Sequence, residues 1–118
     1  MISEIIVKNV FVGDIFNNPG GGTSTIINIS SSFIQYLRGN SKIKIFMDDI
    51  EDVYKNFKGK QVSTSMLKDF KPKVFDSSKN GHSCNTTFIF IILNHIGLLQ
   101  GGINGSGKKG NPFYVTIK

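Results

Sequence analysis

The chain has 118 residues, 39% of them hydrophobic, and a formal net charge of +6. That length suits one domain with its own core, a single cysteine (Cys84) excludes an internal disulfide, and the longest apolar run, Phe88 to Leu93, is far short of the roughly 20 residues a membrane span needs. Glu4 and Lys8 interrupt the run Ile2 to Val7, so no leader segment is read; the expectation is a cytoplasmic protein without membrane attachment, whose positive charge attracts polyanions.

The first third reads as β-structure. Ile5 to Val12, Thr23 to Ile29, Phe33 to Leu37 and Lys42 to Phe46 are β-branched or aromatic runs, separated by Asn17 to Gly22, Ser30 to Ser32 and Arg38 to Asn40, all rich in turn formers. In the fourth run Ile43, Ile45 and Met47 alternate with Lys42, Lys44 and Phe46, which assigns one face to the core and the other to water. A helix follows from Asp48, where Asp48 and Glu51 have capping-box spacing and Ile50, Val53, Tyr54 and Phe57 recur at helical intervals, with Gly59 as its stop. Ser63 or Thr64 caps a second helix with Met66, Leu67 and Phe70 on its apolar stripe, ended by Pro72. Lys71 to Gly81 reads as a loop. Ser83 to about His95 reads as a third helix, capped by Ser83 or Asn85 and closed by Gly97; Phe88 to Leu93 has strand-like composition, but the polar start and the length of the segment favour helix. Gly101 to Ile117 is a glycine-rich basic loop within a hairpin.

The expected fold class is therefore α+β, with a small antiparallel β-unit over residues 1–47 and a three-helix unit with a C-terminal hairpin over residues 48–118, compatible with one compact domain. Charge is segregated between the halves. From Tyr54 onward there are ten Lys against Asp69 and Asp76, whereas Met1 to Val53 holds four basic and six acidic residues.

The order helix, helix, helix, β-wing from Asp48 to Lys118 resembles a winged helix-turn-helix domain, a resemblance of architecture without a signature sequence. It implies double-stranded DNA as partner, with the third helix entering the major groove by its first turns and the wing touching backbone or minor groove. On that resemblance His82, Ser83, Asn85 and Thr86 read the groove, with Thr87 at the end of the same turns, and Ser106, Lys108, Lys109 and Asn111 form the wing tip. Lys71, Lys73, Lys79, Lys108 and Lys109 supply phosphate affinity. A solvated face is the plain alternative for Lys68, Lys71, Lys73 and Lys79. The one arginine, Arg38, lies in the β-rich part, which takes the commonest guanine contact away from this surface.

Other chemistries are weaker. Gly102 to Lys108 matches a nucleotide-binding glycine-lysine spacing, but Lys109 stands where Ser or Thr is needed and a strand-like segment follows instead of a helix. Cys84, His82 and His95 are too few for zinc unless Asp76 joins them, and a thiol nucleophile at a helix start is a lesser possibility. Helix capping explains Asp48 to Asp52 more simply than a metal or carboxylate site does. Phe33 and Tyr36 beside Arg38, Lys42 and Lys44 suit either a single-strand-binding face or, preferentially, a structural or protein-contact role. The expected function is nucleic-acid binding with no enzymatic step, cofactor or metal; the rival is an adaptor or inhibitor that binds an acidic protein surface.

Overall fold

A computed structural model describes residues 1–118 and shows a mixed α+β fold. It opens with a helix where composition suggests a strand. In α1 (Ile2–Asn9), Ile2 and Ile6 are buried, as is Val10 just beyond its end, while Ile5 and Val7 are exposed. Burial at every fourth residue is a helical stripe, whereas a strand buries alternate residues. Glu4 in the first turn and Lys8 in the last suit the helix dipole.

The four-stranded sheet is an antiparallel meander of β1 (Ile15–Asn17), β2 (Thr23–Ile29), β3 (Phe33–Arg38) and β4 (Ser41–Phe46), in chain order. Ile34 and Tyr36 on β3 face Ile45 and Ile43 on β4, and all four are buried. Lys42, Lys44 and Phe46 point outward, as their alternation requires.

β4 runs straight into α2 (Met47–Phe57), whose first amide, that of Met47, donates to Ser32 O at 2.8 Å. The expected capping box does not form. Phe46 occupies the cap position without a side-chain bond, and the Glu51 carboxylate reaches away to accept from Ser3 N at 2.9 Å, so that it caps α1. Ile50, Val53 and Phe57 make the buried stripe. A short strand, β5 (Gln61–Ser63), leads to α3 (Thr64–Phe70), where Ser63 Oγ accepts from Met66 N at 3.2 Å as the expected cap. Pro72 ends α3 and also opens α4 (Pro72–Phe75), because its missing N–H costs nothing at a first helical position. A 3₁₀ turn, Ser77–Lys79, follows, so the expected loop is largely ordered.

α5 (Cys84–His95) is a helix, as its length suggests, and eight of its twelve residues are buried. A helix apolar on all sides belongs inside a core. β6 (Leu99–Asn104) and β7 (Tyr114–Ile117) form the hairpin, and β5 pairs with β7 to give a second sheet of order β5-β7-β6. Tyr36 of β3 stacks on Phe88 of α5, with centroids 3.7 Å apart and planes within 4°. One cluster of 23 buried residues runs from Ile2 to Ile117, so residues 1–47 and 48–118 share a core.

Candidate nucleic-acid interface

The first turns of α5 are enclosed. Asn85 is 2% exposed; its Oδ1 accepts from the Tyr36 hydroxyl at 2.7 Å, and its Nδ2 donates to Val74 O at 3.2 Å and Lys44 O at 3.4 Å. Burial pushes the Tyr36 hydroxyl far above its ordinary range, which keeps it a donor to Asn85. Thr86, at 4% exposure, spends its hydroxyl on Ser83 O at 2.7 Å. Asn85 is thus withdrawn from any groove-reading surface beneath β3 and β4, whereas Thr86, nearly buried and with its hydroxyl spent, lies at the edge of the cavity between α3 and the wing. Ser83 Oγ pairs with Ser77 Oγ at 2.8 Å, and neither Ser83 nor Asn85 caps the helix by its side chain. Tyr36 is equally unavailable to stack a base.

The expected docking lysines do not act as one set. Lys71 bridges Asp52 at 2.8 Å and Asp49 at 3.1 Å, the only ion pairs in the protein, and so ties α3 to α2. Its hydrogen bond holds the Asp52 carboxyl below the usual range and lifts the Lys71 ammonium above its own. A lysine held by two carboxylates has little charge left for phosphate. Lys73 and His82 line a separate cavity of about 460 Å³ with Lys42, Lys44 and Asp49, on the β4 side of α5. Lys79 stands exposed on the 3₁₀ turn, which Asp76 caps through Ser78.

The wing tip is ordered by its own polar groups. Ser106 Oγ accepts from Lys108 N at 3.3 Å and from Asn111 Nδ2 at 3.2 Å, while Asn111 N donates to Lys108 O at 2.9 Å. Ser106 and Asn111 therefore shape the turn that presents Lys108 and Lys109 to solvent. Gly107 has φ +74°, and a Cβ there would run into the Phe113 ring, which also lies 3.7 Å from where a Cβ on Gly20 would sit. Phe113 thereby seats the wing between its own backbone and the Gly20 to Gly22 loop. The strand after Lys108 leaves no helix N-terminus for a nucleotide-binding loop.

Arg38 lies on this side too, contrary to its place in the sequence. At the end of β3, its Nη1 donates to Thr87 Oγ1 of α5 at 2.9 Å and its Nε to Ser24 Oγ at 3.0 Å. It lines a cavity of about 370 Å³ with the Gly20 to Gly22 loop, Thr87 and Phe113. A second cavity of about 320 Å³ adjoins it through Thr87 and Phe113, and is lined by Ser65 and Lys68 of α3 and by Lys108 and Lys109 of the wing. Neither cavity is lined by a carboxylate.

This groove, with Arg38 and Lys68 as its members beside the wing, is what sequence reasoning missed, although Thr87 stands at the end of the expected reading turns. Ser65 and Lys68 fall one turn apart on α3, a legible spacing, but nothing local marks a strand end as the neighbour of a helix 49 residues away. No known protein family, curated protein or solved structure matches the chain. No group of three His, Cys, Asp or Glu side chains comes together, and no helix is long and apolar enough to cross a membrane. His95 Nε2 donates to Asn9 O, 2.8 Å away, far along α5 from His82. Chemically, the groove offers four cations, hydroxyls and glycine backbone, a surface suited to anions.

Proposed function

We propose that the protein binds double-stranded DNA through its sugar-phosphate backbone, without chemistry, using the wing and the adjoining groove. One observation carries this reading: Arg38, Lys68, Lys108 and Lys109 line two adjoining cavities that contain no acidic side chain. Four cations in an acid-free groove create a field that draws a polyanion and releases its counterions. The order α2, α3, α5, with the four-residue α4 and a 3₁₀ turn between the last two, then the β6–β7 hairpin supports the winged-helix resemblance in architecture. The mode differs from the usual one, because eight of the twelve residues of α5 are buried and Asn85 is spent on Tyr36, so that the start of α5 meets the groove through Thr86 and Thr87. Binding is therefore driven by phosphate contacts, with little preference for sequence.

The test is charge reversal at the wing tip, where both side chains are exposed and touch nothing the fold needs. Lys108→Glu with Lys109→Glu should weaken binding to a random-sequence duplex on the order of 100-fold at low salt while the melting temperature stays unchanged. Wild-type affinity in this double variant would sink the proposal.

A further inference from the structure

Arg38 is held as a rigid cation that the protein does not neutralise. Ser24 Oγ accepts from Nε at 3.0 Å and Thr87 Oγ1 accepts from Nη1 at 2.9 Å, while the fully buried Ser24 hydroxyl donates to Asn18 Oδ1 at 2.6 Å. The third nitrogen, Nη2, is buried with no partner at all. No carboxylate pairs with the guanidinium, since the only ion pairs belong to Lys71. Neutral hydroxyls fix its direction and leave its charge intact, so the field falls on the cavity that Arg38 lines. That cavity is walled by Gly20, Gly21, Gly22 and Gly39, where the absence of side chains lets an oxyanion approach the backbone.

We infer that the Arg38 cavity seats one phosphate group, and, resting on the DNA reading above, that this is a phosphodiester of the bound strand. The cavity is continuous, through Thr87 and Phe113, with the one that holds Lys68, Lys108 and Lys109. A strand whose phosphates follow the lysines thus meets a fixed guanidinium at the end of the track. Arginine is the suited residue for such an end point, because its planar fork fixes the position of an oxyanion where lysine only attracts it.

The test places a carboxylate in the cavity without touching the Arg38 hydrogen bonds. Thr23 is exposed, lines the cavity and sits at the strand end opposite the β2–β3 turn, so Thr23→Glu fills the seat; Ser31→Glu, in that turn, is the control of equal charge. Duplex affinity is measured against salt for both, with circular dichroism to verify the fold. Thr23→Glu should flatten the slope of log K against log salt by about 1 and Ser31→Glu should leave it unchanged. Equal slopes in the two variants, with wild type still binding duplex, would overturn the strand-phosphate seat and leave the DNA reading standing. Should wild type bind no duplex, the DNA reading has failed, and thermal shift in inorganic phosphate decides the rest. Stabilisation of wild type but not of Thr23→Glu then assigns the seat to a free phosphate compound; no stabilisation of either overturns the seat altogether.

Discussion

Arg38 and Thr87, 49 residues apart in sequence, are joined by a 2.9 Å hydrogen bond from Nη1 to Oγ1. That bond fastens the end of β3 to the first turns of α5, and it explains two features of the surface together. The meander that brings Arg38 to the wing side also closes over Asn85. The same packing that supplies a cation to the groove removes Asn85, the side chain suited to pair with adenine.

Asn85 should therefore behave as a core residue. Asn85→Ala leaves the buried Tyr36 hydroxyl without its partner, a loss of about 1–3 kcal/mol for a buried polar group, while Val74 O keeps its bond from His82 N. Urea unfolding should show it. Duplex affinity, measured well below the melting temperature, should match wild type.

Lys71 should govern part of the acid sensitivity. Its hydrogen bond depresses the Asp52 carboxyl, so that contribution to stability is present above the ordinary carboxylate value near 4 and is lost as pH falls through the lowered one. Lys71 is raised in turn, and its share is present below the ordinary lysine value near 10.4 and lost as pH rises past the raised one. Lys71→Met should be less stable than wild type at neutral pH, with the gap in melting temperature closing as the pH drops below about 4. The variant should keep the acid sensitivity due to Asp76, whose carboxyl is lowered by its hydrogen bonds from Ser78. A gap that does not change with pH would contradict the assignment. The salt dependence of DNA binding should be the same in both proteins, because Lys71 is already paired.

Gly107 tests whether the wing acts as a seated unit. Alanine there meets both a left-handed φ of +74° and the Phe113 ring, a strain of about 1–2 kcal/mol. If the wing swings off Phe113, duplex affinity falls about five- to thirtyfold with no change in net charge. Wild-type affinity in Gly107→Ala would mean that the seat of Phe113 does not position Lys108 and Lys109.

Helices with a periodic stripe or a clear cap are legible from sequence here. α2 follows from Ile50, Val53 and Phe57, and α3 from the Ser63 cap. β2, β3 and β4 follow from their β-branched runs and turn residues. α1 is not legible by composition, because Ile and Val dominate it and only the spacing of Ile2, Ile6 and Val10 betrays a helix. β1 and β5 are three residues each, too short for any period, and β5 exists only because β7 pairs with it at Val62 and Val115. Within the site, the charge of Lys108 and Lys109 is visible in the chain. The burial of Asn85 and the arrival of Arg38 are products of long-range packing, which no local pattern encodes.

The most direct test of the central claim is fluorescence anisotropy of a labelled random duplex of about 20 bp, titrated with protein at several salt concentrations. Four phosphate-facing cations predict a slope of log K against log salt of about −3 to −4, with similar affinity for unrelated sequences. No duplex binding at low salt, or binding that salt does not weaken, would contradict it.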